Sequence, residues 1–259
     1  VSVGQVIAVV SQKGGVGKTT TAVNLAAALA RRGLRTLLVD TDPQGSVRFG
    51  AGLRTGHETA GFSDYLAGTR ALREVILPTS LPWLRVILAG TVSDAAEHEH
   101  YLARIADTRV LHDLLTMARE RCDVVVVDTP PGLGPITRRV LEASQRALIP
   151  LQCEPLALQT TPQILRGIGE IAKVNPALTL DGILLTMVDE ASDASRRVQA
   201  YVREHLPRAL VLDLVVPRRA ATADAFSAGQ PVVVRDPGDP AAQAYVNLAT
   251  LLAERIGSA

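Results

Sequence analysis

The stretch SQKGGVGKTT, Ser11 to Thr20, joins the apolar run QVIAVV to the helical run TTTAVNLAAALARR, and this order constrains the fold more than any other feature. Gly14, Gly15 and Gly17 let the backbone wrap a polyphosphate with its N–H groups pointing inward. A helix starting at Lys18 adds the positive end of its dipole. Gly17, Lys18 and Thr19 end the pattern G-x-x-x-x-G-K-[ST], in which the lysine meets the β- and γ-phosphates and the hydroxyl binds Mg²⁺. Gln12 stands where that pattern has its first glycine, and Lys13 adds a cation that a phosphate loop does not require. A plain glycine-rich turn is the competing reading, but strand, loop, GKT and helix arrive in the order a nucleotide site needs.

The rest of the chain alternates short apolar runs with helical stretches, which predicts an α/β fold: a mostly parallel twisted sheet flanked by helices. Further strands are expected at RTLLVD, WLRVILAG, DVVVVD, RALIPLQ, LDGILLTMV and ALVLDLVVP. DVVVVD is an unbroken β-branched run and must be buried on both faces. Helices are expected at GFSDYLAG, ALREVIL, TRVLHDLLTMARERC, TPQILRGIGEIAKV, SDASRRVQAYVREHL and DPAAQAYVNLATLLAERIGSA. With no repeat or linker in 259 residues, the expectation is a single domain, 1–259.

Composition narrows the partners. Hydrophobic residues make up 47%, which excludes a disordered chain. Lys plus Arg is 27 against 26 for Asp plus Glu, so any nucleic-acid surface must be a local patch. No secretory signal precedes the first strand and no apolar run is long enough to span a bilayer, so a soluble, cytoplasmic protein is expected. Cys122 and Cys153 fit neither a disulfide framework nor a metal knuckle. Glu97 to His100, EHEH, point around a helix axis rather than at one ion and read as solvated.

A nucleotide triphosphatase also needs an acid at the end of a second buried strand to hold the Mg²⁺ shell, and VVVVDTPP supplies Asp128. A turn aspartate is the plainer alternative. Thr129, Pro130, Pro131 and Gly132 follow where a γ-phosphate sensor would lie. VDTDPQG places Asp40 and Asp42 at another strand end. Two readings stand there: a turn and helix cap, or a carboxylate that orients the attacking water. An aspartate is a weak base at neutral pH, so orienting water fits better than taking its proton, and slow hydrolysis follows.

The motifs KGGVGKTT, LLVDTDPQG, VVVVDTPP, IPLQCE, GILLTM and VVPRR occur in the order and spacing of the ParA/Soj family of deviant Walker A partition ATPases, which the chain resembles along essentially its whole length. DPQG looks like ParA rather than the related MinD. The resemblance implies ATP and Mg²⁺ as cofactors, with Lys13, Gly14, Gly15, Val16, Gly17, Lys18, Thr19 and Thr20 at the nucleotide, and Pro217 and Arg218 beside the adenine. It implies that Lys13 reaches the partner's phosphates in an ATP-dependent homodimer, and that Lys13, Lys18 and Asp42 form the catalytic set. Thr19 and Asp128 would serve the metal, Asp128 through water. It further implies non-specific double-stranded DNA, a ParB-like adaptor that stimulates hydrolysis, nucleoid association and chromosome, plasmid or other cargo partition.

The chain departs from its family at the DNA-binding arginines. Relatives read MYDxRT and IPRNVRLSEAP, where this sequence has MVDEAS and VPRRAATADAF, with Ala191 and Ala221 at the arginine positions. Arg196, Arg197 and Arg219 lie close by and are the substitutes; solvated surface charge is the alternative. The short segment before the first strand leaves no expectation of an operator-reading helix-turn-helix. The rivals are a MinD-like positioning ATPase and a metabolic ligase or reductase component on the same scaffold. A MinD-like tail would carry a basic polar face, and this one has only Glu254 and Arg255 near its end. A reductase would need cluster cysteines elsewhere than Cys122 and Cys153.

Overall fold

A computed structural model describes residues 3–53, 60–92, 95–107 and 109–257. The chain begins with β1 (Gln5–Val9), α1 (Lys18–Arg31), β2 (Thr36–Asp40), α2 (Phe62–Leu66), α3 (Leu72–Val75) and β3 (Leu77–Pro78). It continues with β4 (Leu84–Ile87), α4 (Ala95–Asp107), α5 (Val110–Arg121), β5 (Val124–Asp128), α6 (Pro135–Glu142), β6 (Arg146–Gln152) and α7 (Pro155–Val174). The last part holds β7 (Thr179–Val188), α8 (Asp193–His205), β8 (Val211–Pro217), α9 (Ala220–Ser227), α10 (Val232–Arg235) and α11 (Pro240–Gly257).

The strands form one sheet in the order β3-β4-β2-β5-β1-β6-β7-β8. Every pairing is parallel except β3 with β4. Alternate side chains of each strand enter opposite layers, as the pleat requires. Val125 and Val127 pack with Leu114, Val140 and Ile168 on one face, and Val124 and Val126 pack with Leu25, Leu29 and Tyr245 on the other. All four valines of β5 are fully buried, which accounts for the unbroken β-branched run. Each contributes about 1.5–3 kcal/mol relative to an exposed position.

Helix α1 is buried on nearly every side because it lies between the sheet and α11. Its alanines combine high helix propensity with the small size needed for that close approach. It ends where Gly33, at φ 86°, turns left-handed and Leu34 N–H bonds back to the Leu29 carbonyl. The tail helix α11 buries Tyr245, Leu248 and Leu252 against this layer, as its lack of a basic face led us to expect.

The predicted strands are all present. Helices α6, α9 and α10 fall outside the predicted elements, and α4 was legible only at Glu97–His100; the helix expected over ALREVIL stops at Val75, and its last residue, Leu77, pairs in β3 instead. Helix α7 starts at Pro155, earlier than the periodic stretch suggests, because proline fits the first helical position.

Candidate nucleotide site

Strand register builds the site before any side chain is considered. Val9, Asp128 and Asp40 lie abreast at the carboxyl ends of β1, β5 and β2. The segments leaving these strands therefore converge on the edge where open α/β sheets bind ligands.

The loop after β1 turns through Gly15 and Gly17, whose φ values of 79° and 81° would strain any residue bearing a Cβ. Ser11 Oγ donates to the Lys13 carbonyl at 2.9 Å, and Thr186 Oγ1 donates to the Val16 carbonyl at 2.8 Å. Gly132 N–H donates to the Ser11 carbonyl at 2.8 Å, so the TPPG segment after β5 is tied to the phosphate loop. Gly14, Gly15 and Lys13 are exposed on the rim of this loop, with Thr19 and Thr20 half-buried at the start of α1. The Lys13 side chain makes no hydrogen bond or ion pair with any described residue.

Lys18 points the other way. Its Nζ lies 3.1 Å from Asp128 Oδ1 and 3.9 Å from Asp42 Oδ2, with the side chain only 7% exposed. Asp40 is also fully buried at this corner. Burial and the neighbouring Asp128 push the Asp40 carboxyl well above the usual carboxylate range. Burial raises Asp128 too, and Lys18 and the Thr19 hydroxyl oppose that rise. Asp128 Oδ2 is buried without a partner. The orphaned Asp128 oxygen beside the Thr19 hydroxyl fits a hard divalent cation, which takes oxygen ligands.

The two aspartates of VDTDPQG make different contacts. Asp40 Oδ1 accepts from Asp42 N–H at 3.1 Å and Oδ2 from Val47 N–H at 3.2 Å, so Asp40 holds the loop. Asp42 Oδ1 accepts from Gln44 N–H at 3.0 Å, capping the turn, while its Oδ2 faces Lys18.

Pro217 and Arg218 line a cavity of about 260 Å³ beside Gly17 and Thr20. Its other walls include Thr186 and Met187, the end of the motif GILLTM, Thr222 and Phe226 from VPRRAATADAF, and Tyr245, none of which was named as a site residue from the sequence. Met187 sits at φ 52°, the one left-handed non-glycine among the described residues. These residues arrive from β7, α9 and α11, far apart in sequence, and meet only in the fold. Arg218 lies 3.6 Å from Glu154.

The remaining arginines follow the ends of the outer strands. Arg196 and Arg197 lie on the exposed first turns of α8, after β7. Arg196 pairs with Asp193 and donates to the Glu190 carbonyl, and Arg197 Nε donates to the Asp193 carbonyl at 3.4 Å. Arg219, after β8, bonds the buried Asp239 at 3.1 Å and lines the cavity. Ala191 and Ala221 offer no charge.

Glu97 to His100 are exposed on α4, and the described residues contain no cluster of three or more metal-ligating side chains. Cys122 and Cys153 are free thiols, before β5 and after β6, at opposite ends of the parallel central strands. No helix among the described residues is long and apolar enough to cross a membrane.

Comparison with known proteins shows the family. A family described as an AAA domain matches residues 4–180. The chain is 37% identical to the chromosome partitioning protein ParA of Myxococcus xanthus, over 98% of this chain and 89% of that one. It is 38% identical to the chromosome-partitioning ATPase Soj of Thermus thermophilus, over 98% and 97%. Among solved structures it is similar to a Mycobacterium smegmatis protein described as cobyrinic acid a,c-diamide synthase with bound ATP analogue and magnesium. That likeness has a TM-score of 0.80 and 32% identity, covering 99% of this chain and 97% of that one. A strand-ending acid, a glycine loop and a buried lysine in this arrangement, on a chain this similar to partition proteins, lead to one assignment: the chain belongs to the ParA/Soj family of P-loop ATPases.

Proposed function

We propose that residues 1–259 act as one ATPase domain that cycles between a monomer and an ATP-bound homodimer, binds double-stranded DNA without sequence preference, and drives partition of a chromosome, plasmid or other cargo. A ParB-like adaptor stimulates its hydrolysis, and it works in the cytoplasm on the nucleoid. The observation that carries this reading is the division of labour between two lysines on one loop. Lys18 is buried against Asp42 and Asp128, whereas Lys13 is exposed on a loop fixed by backbone bonds.

Backbone amides from Gly14 to Thr20 wrap the phosphates of ATP, and Lys18 turns from the carboxylates to the β- and γ-phosphates. Thr19, and Asp128 through water, would hold Mg²⁺, which would supply neutralising charge at the phosphates. Pro217 and Arg218 lie against the adenine. Lys13 serves the phosphates of the other subunit, as an arginine finger does in trans. Asp42 orients the attacking water. The diamide synthase likeness raises an amide-ligase alternative; sequence kinship with partition proteins over nearly the whole chain favours partition.

Co-sedimentation with two unrelated DNA duplexes, each with ATP, ADP or no nucleotide, tests the proposal. Binding to both duplexes with ATP alone supports it, and nucleotide-independent binding or none at low salt contradicts it.

The DNA surface is carried by Arg196, Arg197 and Arg219, with Arg219 sharing its charge with Asp239. The Arg196–Asp193 pair is exposed and i,i+3, so it costs little to exchange for a phosphate. Dimerisation presents the patch twice, which turns weak phosphate binding into useful affinity. Replacing Arg196 and Arg197 together leaves up to about four phosphates per dimer without a cation, and flattens the log–log salt dependence by about 0.9 for each such phosphate. ATPase activity without DNA is expected to stay unchanged. A salt titration of both proteins with ATP reads the difference; coincident slopes mean these arginines are ordinary solvated charges.

A further inference from the structure

We infer that Tyr101, on α4, is a positioning residue for ATP hydrolysis: its hydroxyl holds the peptide that aims Asp42. The inference rests on the role proposed for Asp42 and adds a residue from a distant helix to that machinery.

The geometry lies in a single peptide unit. Tyr101 Oη donates to the Thr41 carbonyl at 3.0 Å in a buried setting. The same peptide's N–H, that of Asp42, donates to Asp40 Oδ1 at 3.1 Å. The plane immediately before the Asp42 Cα is therefore held from both sides, which sets the direction in which its side chain leaves the backbone. Thr41 is further fixed to β5, since its N–H and Oγ1 both donate to the Asp128 carbonyl, at 3.0 and 2.7 Å. Three of these bonds come from strand ends that the sheet already fixes. The Tyr101 bond alone comes from outside, sixty positions along the chain.

Tyr101 is itself held firmly. It is 4% exposed, and its ring meets Phe62 of α2 edge to face, with centroids 6.0 Å apart and planes at 85°. Burial and the nearby Asp40 and Asp42 raise its phenol well above the ordinary value, so it remains a neutral donor at physiological pH. An aromatic that only filled space would need no hydroxyl here. The phenol instead satisfies a buried carbonyl on the loop whose next side chain faces Lys18. Positional errors of about 1 Å in a reacting group cost on the order of a hundredfold in rate.

The test is Tyr101→Phe, which keeps the ring and its packing on Phe62 and removes one oxygen. The expected result is a kcat about tenfold lower with KM for ATP and equilibrium ATP affinity within about twofold of wild type. A thermal melt run in parallel establishes that the variant is folded at the assay temperature. The same substitution is then made in an Asp42→Ala background and followed by single-turnover hydrolysis of radiolabelled ATP. If Tyr101 acts through Asp42, its loss there changes the rate by less than about twofold, because coupled residues are non-additive. A wild-type kcat for Tyr101→Phe overturns the proposal, and so does an equal loss in both backgrounds. Asp42→Ala turning over at the wild-type rate is a separate failure, that of the Asp42 role itself.

Discussion

Lys13→Ala is expected to bind ATP within about threefold of the wild-type affinity and to lose the ATP-dependent dimer. The asymmetry follows from placement. Lys18 and the loop amides act within one subunit, whereas Lys13 is exposed on the rim and unengaged among the described residues. A loop cation beside its own Lys18 has little to neutralise until another subunit's triphosphate arrives. Truncating one member of a desolvated charge pair across an interface costs about 2–5 kcal/mol, enough to weaken the dimer by roughly thirtyfold to several thousandfold. Titration with a fluorescent ATP analogue reads the affinity, and sedimentation velocity with Mg-ATP reads the dimer. An ATP-dependent dimer persisting in the variant would sink the trans role of Lys13.

Asp42→Ala is expected to bind Mg-ATP and to hydrolyse it about a hundredfold more slowly, the scale set by losing the orientation of a reactant. Its dimer should accumulate, because formation needs ATP and dissociation needs hydrolysis. Asp42 Oδ2 lies 3.9 Å from Lys18 Nζ, the cation proposed to meet the γ-phosphate, and the loop that carries it is pinned by Asp40. Removing the carboxylate also removes the cap on Gln44 N–H, a local loss of about 0.5–1.5 kcal/mol that leaves the fold intact. Phosphate release under single-turnover conditions measures the effect. A wild-type rate would reduce Asp42 to a turn cap. Asp40, whose two oxygens each accept one backbone amide and keep a further lone pair, would then become the candidate.

The phosphate loop was legible because its chemistry is local: glycines, lysine and hydroxyl stand within ten residues between a strand and a helix. Asp128 was legible for a similar reason, as the polar end of a run that had to be buried. The carboxylate pairing of Lys18 was not, because it depends on β1, β5 and β2 standing side by side, and register between distant strands leaves no mark in either segment. Tyr245 and Tyr101 stayed hidden because they look like ordinary core residues and reach the site only through packing. The Arg196–Asp193 pair could have been foreseen from its i,i+3 spacing on a helix. The Arg219–Asp239 bond could not, since β8 and α11 must first be brought together. The four-residue α10 escaped because so short a run carries too little periodicity to separate a helix from a turn, whereas α6 did carry the signal, with Pro135 at its first position and Ile136, Val140 and Leu141 at helical spacing.

The central claim is that ATP joins two copies of this chain. Light scattering during size exclusion, run on the wild-type protein with Mg-ATP, with Mg-ADP and without nucleotide, tests it most directly. Asp42→Ala provides a companion in which hydrolysis does not erode the complex. The account predicts twice the monomer mass with Mg-ATP and the monomer mass in the other two conditions, most completely for Asp42→Ala. A monomer under all three conditions, in protein that demonstrably binds ATP, would contradict it, as would a dimer that forms without regard to nucleotide.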